Sequence, residues 1–299
     1  MKQAINKVKV VKLLTNMPQP RWVMHPKSSR SVHPVFDMDL IENVKGVHRT
    51  PVGIRDHLSY GLCSVFRKSF DFVSGYKEHM DTNSWLTRII VLETVAGIPG
   101  MVGGVLRHMR SLRTLERDQG WINHLLSEAE NERMHLFIFM KLKNPGFIFR
   151  CVIMAAQGIM FNALFLTYLF SPKTVHRFVG YLEESAVHTY TVLLNDIDTP
   201  GSKVEHWKHI PAPEDVREYY NLPDNANFRD VVKCVRADEA CHRDVNHTFA
   251  SMDSSDYVET HEVAYSHDMK AATRGEELKT DDAGNILCPD STILKKTEE

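Results

Sequence analysis

The segments "ENERMHL", Glu130–Leu136, and "DEACHRDVNH", Asp238–His247, decide how this chain is read. Each holds a glutamate with a histidine three residues later: Glu132/His135 and Glu239/His242. On an α-helix, positions i and i+3 share a face. Each pair can therefore present a carboxylate oxygen and an imidazole nitrogen to one point. A single pair is weak evidence, because a surface Glu–His contact leaves the same trace. Two pairs carry more if two further helices each add an acid. Carboxylate-bridged di-iron and di-manganese sites in helical bundles use that set: one Glu from each of two helices and Glu-x-x-His from each of the other two.

Both further acids are present. Glu93 lies in "VLETVAG" among Val91, Leu92, Val95 and Ala96, and Glu183 lies in "YLEESAVHTY" beside Leu182 and Ala186. A carboxylate on an apolar helical stretch is costly to bury unless it is paired or binds metal. The order along the chain is Glu, Glu-x-x-His, Glu, Glu-x-x-His, one contribution per helix. The second Glu-x-x-His thus supplies the second ion's histidine. Carboxylates are hard donors, imidazole is borderline, and the set contains no thiolate. It suits a pair of iron ions, able to bind O2 between them. Asn131 and Asp238 each precede a ligand Glu and are candidates for outer hydrogen bonds to the ligands. Tyr190 lies two turns after Glu183 on the same face, where a phenol could donate a proton and an electron.

The rest of the chain is helical in pattern. Ile54, Leu58, Leu62, Val65 and Phe66 fall at helical spacing. Residues 83–116 read as helix, broken or kinked at Pro99 in "GIPG". "WINHLLSEAENERMHLFIFMKL" is a helix closed by Asn144, Pro145 and Gly146. Residues 147–170 are almost continuously apolar, and "SPKTVHRFVGYLEESAVHTYTVLL" opens with a cap and a first-turn proline. "IDTPGSKVEHWKHIPAPED" reads as a loop, and a last helix runs from about Asn227 to Phe249. No strand alternation and no Gly-rich phosphate loop occurs. The expected fold is all-α: a ferritin-like di-iron four-helix bundle with additional membrane-surface helices.

At 299 residues, 43% of them hydrophobic, the chain can build a sizeable core. A net charge of −2 gives no global field for nucleic acid, and no nucleic-acid partner is expected. Residues 1–36 carry seven Lys or Arg and no acid before Asp37. Such a segment reads equally as a mitochondrial-type targeting segment or a solvated basic arm. The expected organisation is a basic arm over 1–42, the helical domain over 43–252 and a polar tail over 253–299. The five cysteines have no zinc or disulfide spacing and read as reduced thiols.

Four motifs, "LETVAGIPGMVGG", "AENERMHL", "VGYLEESAVHTY" and "RADEACHRDVNHTFA", resemble in family order those of the alternative oxidases, cyanide-insensitive ubiquinol oxidases of mitochondria. The similarity spans roughly Asn43 to Met252. It implies a di-iron enzyme that oxidises ubiquinol and reduces O2 to water without pumping protons. It further implies a homodimer seated in one leaflet of the mitochondrial inner membrane, facing the matrix. By motif, Glu93, Glu132, His135, Glu183, Glu239 and His242 match the iron ligands, and Tyr190 matches the redox-active tyrosine. Arg67 and Asp71 in "RKSFD", with Arg88, Leu92, Ala186 and Thr189, match positions lining the quinol and inhibitor pocket. His176 matches a histidine near the quinol path. Two departures stand out. Ser185 replaces the third of three consecutive glutamates, which alters local hydrogen bonding. Thr87 occupies a position of a regulatory cysteine, and residues 1–62 contain none, so thiol activation by keto acids is not expected.

The competing readings are a related di-iron plastoquinol oxidase or quinone-ring hydroxylase, and ferritin-like iron storage. Residues 147–170 are long enough to span hydrocarbon. They are nevertheless expected to lie in one leaflet, because crossing would start Glu132 and Glu183 on opposite sides of the bilayer. Arg150, Gln157 and Asn162 break the run, as expected of a helix with one side against protein.

Overall fold

The computed structural model describes residues 33, 36, 38–44, 46–77 and 79–256. Both readings of the basic arm fall mainly outside these residues, as does the tail beyond 256. The described chain is helical throughout: α1 (Met38–Glu42), α2 (Gly53–Ser74), α3 (Thr82–Ala96), α4 (Ile98–Thr114), α5 (Trp121–Met140), α6 (Phe147–Phe170), α7 (Pro172–Asp198), a 3-10 turn (Glu205–His209), α8 (Glu214–Tyr220) and α9 (Phe228–Ser251). Extended pairing among the described residues is limited to one antiparallel bridge, Pro211 with Asn227.

Local chemistry sets the helix ends. The Asp81 carboxylate caps α3 by accepting from the Ser84 N–H at 3.0 Å. Gly97 and Pro99 turn α3 into α4, with the proline in the first turn, where its missing N–H costs nothing. Asn227 and Asp230 form a reciprocal capping box at the start of α9. Gly75, at φ 63°, closes α2 in the left-handed conformation.

Packing then brings the Glu-bearing helices together. At Gly100 an added Cβ would meet the Leu125 carbonyl oxygen at 2.4 Å, so α4 lies tight against α5. At Gly180 it would meet the His247 ring at 2.5 Å, so α7 lies equally tight against α9. Helices α3, α5, α7 and α9 carry the Glu and Glu-x-x-His residues. The largest buried cluster includes Trp85, Ile89, Phe139, Val187, Leu193 and Val232. A second, around Val102, Leu164, Tyr168 and Val179, joins α4, α6 and α7.

Helix α9 is buried almost throughout, including Lys233, Arg236 and Arg243. Buried cations need partners, and a segment placed in the arm supplies some of them. Arg236 donates to the Ile41 carbonyl at 2.9 Å, and Lys233 to Glu42 at 2.9 Å. Phe36 and Ile41 are themselves core residues. The packed domain therefore begins before residue 43, the boundary expected from the sequence. The segment read as a loop contains the 3-10 turn and runs into the start of α8, whose Glu214 and Asp215 sit in its first turn.

Helices α2 and α6 leave large apolar side chains in the open, among them Ile54 and Leu58, and Phe147 and Phe170 at 81% and 87% exposure. By length and composition, Thr82–Thr114 and Phe147–Phe170 are each able to cross a membrane. Of the three polar residues expected to face protein on α6, Gln157 alone bonds to another helix, donating to the Thr94 carbonyl at 2.7 Å. Arg150 bonds the preceding loop, and Asn162 bonds its own helix at Gly158. The last two satisfy themselves locally rather than marking a protein-facing side.

Candidate metal centre

Six buried side chains from four helices meet inside the bundle: Glu93 from α3, Glu132 and His135 from α5, Glu183 from α7, Glu239 and His242 from α9. They form two overlapping groups. Glu93, Glu132, His135 and Glu239 offer ligand atoms within 4.8 Å of one another, and so do Glu132, Glu183, Glu239 and His242. Glu132 and Glu239 belong to both groups. His135 Nδ1 lies 3.4 Å from Glu132 and 3.2 Å from Glu239. His242 Nδ1 lies 2.6 Å from Glu132 and 3.9 Å from Glu239.

These groups form close ion pairs but few aligned hydrogen bonds. Glu93 Oε2, both Glu132 oxygens, His135 Nδ1 and both His242 ring nitrogens are buried and lack hydrogen-bond geometry to any partner. A buried polar atom without a partner costs about 1–3 kcal/mol, and five of these, all but His242 Nε2, turn into the cluster, where a cation would satisfy them. Four carboxylates and two imidazoles suit a pair of divalent cations, so the residues fit the metal pair that the motifs imply.

The electrostatics lead the same way. Burial raises the Glu93 carboxyl to about 8 and Glu183 well above the carboxylate range. Burial also raises Glu132, but the His242 and His135 imidazoles outweigh it and hold the group below its ordinary value. Burial disfavours both imidazolium ions, yet the surrounding carboxylates keep His135 well above its usual value and His242 at about 9. The cluster thus retains protons where cations would sit, and metal uptake would release them.

An outer ring of polar groups holds the cluster. Asp238 accepts from His135 Nε2 at 2.9 Å, Tyr220 Oη at 2.8 Å, Asn131 Nδ2 at 3.2 Å and His33 Nε2 at 2.9 Å. Asn131 also donates to Tyr219 Oη at 2.9 Å. The structure thus places Asn131 and Asp238 in one network beside His135. Sequence reading passed over His33, Tyr219 and Tyr220. The two acids opening "EDVREYY" were the available sign of a helix there.

Tyr190 is buried, and its hydroxyl donates to Glu93 Oε1. Burial and the Glu93 charge hold its phenol well above the ordinary value, so it stays protonated. Above it opens an apolar cleft, partly open to solvent. Arg67, Arg88, Leu92, Ala186 and Thr189 line its sides, and Glu93, Glu183, Glu239 and Tyr190 reach its floor. Asp71 is not among the lining residues. It accepts from Arg88 Nη2 and lies 3.6 Å from Arg67. Arg88 is further fixed by Ser74 Oγ at 2.8 Å and by the rings of Phe70 and Tyr76.

His176 does not reach this cleft. It is buried between Tyr168 Oη at 3.1 Å and Asn246 Oδ1 at 3.0 Å. It lies on the face of α7 that carries Glu183, but seven residues back, about 10 Å along the axis. Ser185 lines the cleft and donates weakly to the Tyr181 carbonyl on its own helix, at 3.3 Å. Its neighbour Glu184 engages His48, His247 and the Arg49 N–H instead. Cys63, Cys234 and Cys241 are buried and Cys151 is exposed, and none of the four is disulfide-bonded among the described residues.

Comparison with known proteins agrees with this geometry. The family model described as "Alternative oxidase" matches residues 36–251. Among curated relatives, the "Alternative oxidase, mitochondrial" of Trypanosoma brucei brucei is 50% identical over 220 residues, covering 73% of this chain and 66% of its own. That of Emericella nidulans is 45% identical, covering 74% and 65%. That of Cryptococcus neoformans var. grubii is 43% identical, covering 74% and 60%. The aligned part of this chain thus spans roughly three fifths to two thirds of each relative.

Proposed function

The chain belongs to the alternative oxidase family, and from that premise we propose that it is a non-proton-pumping ubiquinol oxidase. Two ubiquinols give four electrons and four protons to one O2, yielding two ubiquinones and two waters. The observation that carries this reading is the convergence of four carboxylates and two imidazoles beneath an apolar cleft. Glu93, Glu132, His135, Glu183, Glu239 and His242 would hold two iron ions. When bound, the iron pair supplies O2 binding and passes electrons to it.

The chain's own residues do the rest. Leu92 and Ala186 offer apolar contact to a quinol ring. Arg88, immobilised by Asp71, Ser74 and two aromatic rings, presents a fixed donor to a ring oxygen. Thr189 Oγ1 spends its hydrogen on the Ser185 carbonyl at 2.8 Å, so it faces the cleft as an acceptor. Tyr190, at the floor, holds a proton against Glu93, between the quinol position and the ligand set. With haem absent from this scheme, oxygen uptake by the purified protein with ubiquinol should persist in millimolar-scale cyanide and be blocked by hydroxamates. Oxygen electrode traces decide it: cyanide-sensitive uptake, or none with ubiquinol, would sink the assignment. Many iron ions per chain would instead favour storage.

We further propose that the protein sits in one leaflet of the mitochondrial inner membrane, on the matrix side, as a homodimer. Exposed apolar side chains on α2 and α6 support the lipid contact. The ligand atoms of α5 and α7, which flank α6, lie within 4.8 Å of one another. Roughly 30 Å of hydrocarbon could not separate the ends of α6 without dragging both helices back into lipid. Single cysteines at Asn144 and Lys173, with native cysteines replaced, should react with an impermeant thiol reagent from the same side of sealed inner-membrane vesicles. Reaction from opposite sides would mean that α6 spans.

A further inference from the structure

The two histidines of the centre are supported unequally. His135 turns Nδ1 toward Glu93, Glu132 and Glu239, and its far nitrogen, Nε2, meets Asp238 at 2.9 Å. His242 likewise turns Nδ1 toward Glu132 and Glu239, but its far nitrogen is buried with no partner. A metal-ligating histidine almost always donates its other ring N–H, which fixes the tautomer and the ring orientation.

One buried carboxylate near His242 lies outside the ligand set. Glu128, on α5 four residues before Glu132, is 7% exposed. It accepts the Asn246 amide on both oxygens, at 3.0 and 2.9 Å. Glu128 and Glu132 lie one turn apart on α5, as do Asn246 and His242 on α9, so the Glu128–Asn246 contact sits one turn along from the 2.6 Å Glu132–His242 contact and sets the carboxylate beside the His242 ring. Asn246 is clamped in turn: His176 Nδ1 meets its Oδ1, and its Nδ2 also bonds the His242 carbonyl at 3.0 Å. His176 ends on Tyr168.

We propose that Glu128 is the positioning residue for His242, accepting its Nε2–H when the centre is loaded, with Asn246 and His176 holding the carboxylate in place. The arrangement is reciprocal. Asp238 on α9 serves the histidine of α5, and Glu128 on α5 serves the histidine of α9. Each Glu-x-x-His helix thereby orients the other's imidazole. The role explains a buried acid that the ligand set does not use, and a histidine, His176, that the cleft does not reach. It rests on the di-metal reading.

The test uses the full-length protein loaded anaerobically with Co(II), whose paramagnetism moves ligand imidazole N–H protons clear of the other NMR signals. The parent should bind two ions and show two such solvent-exchangeable signals, and Asp238→Asn should displace the one from His135. Glu128→Ala should lose or displace the other alone and bind one of its two ions about 10–100-fold more weakly. Glu128→Gln, isosteric and still offering an acceptor oxygen, should keep the signal at a shifted position and recover most of the affinity. Two parent-like signals and parent-like affinity in Glu128→Ala would overturn the inference while leaving the metal centre intact. A parent that binds fewer than two ions would overturn the metal reading, and this inference with it. Should Glu128→Ala not fold, an unmoved His242 signal in Glu128→Gln overturns the inference on its own.

Discussion

Glu239→Ala is expected to abolish both metal binding and oxygen uptake while leaving the helices in place. Glu239 is common to both ligand groups, so its removal subtracts one donor from each ion rather than one ion from the pair. Iron per chain should fall from about two to near zero, the stoichiometry of a bundled di-iron site being two. The fold should survive because the ligand cluster is not what closes the core. Trp85, Phe139, Leu193 and Phe228 are buried independently of it. The metal-free site is itself a cost to the fold, with carboxylates crowded in low dielectric and raised toward neutrality. Metal at about 100 times its Kd stabilises a fold by about 2.7 kcal/mol. In a chain of this size that is a rise in Tm of roughly 5–10 °C. The parent should show this rise between chelated and iron-loaded forms, and Glu239→Ala should show none. Iron analysis and paired thermal melts check it. Normal turnover, or an undiminished metal-dependent rise in Tm, would remove Glu239 from the site.

The six side chains that converge in the bundle were legible in the sequence because their signal is local. Glu-x-x-His is a three-residue spacing, and Glu93 and Glu183 betray themselves by sitting among apolar neighbours. Cross-chain partners leave no such trace. His33 meets Asp238 across 205 positions, and Asn246 meets Glu128 across 118. No period or motif links such pairs, so only folding displays them. His176 shows the opposite failure. Its spacing from Glu183 matches that of Tyr190, seven residues, in the other direction. Helical periodicity gives the face and not the level along the axis. Tyr190 meets Glu93 at one level, and His176 meets Asn246 at another. The short helix α8 was lost to the Pro-rich flanks of its segment, and with it went Tyr219 and Tyr220. On α6, composition alone could not say which polar residues bond a neighbouring helix and which bond their own.

Tyr190→Phe removes one oxygen and should lower kcat about 100-fold or more, the scale of a lost positioned proton donor. Two roles compete for this residue. As core, Tyr190 packs against Phe139, with ring centroids 5.9 Å apart, and phenylalanine keeps that contact. Its hydroxyl then contributes one hydrogen bond to a buried carboxylate, worth about 1.5–3 kcal/mol when the acceptor is charged. The loss would appear as a modest drop in Tm with turnover preserved. As a functional group, Tyr190 stands where the cleft floor meets the ligand set, and it is the phenol that bonds Glu93 directly. Turnover must then collapse while the site still loads iron, because phenylalanine removes no ligand atom. The measurement that separates the two is kcat together with iron per chain on the same preparation. KM for ubiquinol should change little, since Arg88, Leu92, Ala186 and Thr189 are untouched and line the cleft as before. A variant with two iron ions and kcat within about twofold of the parent, well short of the expected effect, would return Tyr190 to the core.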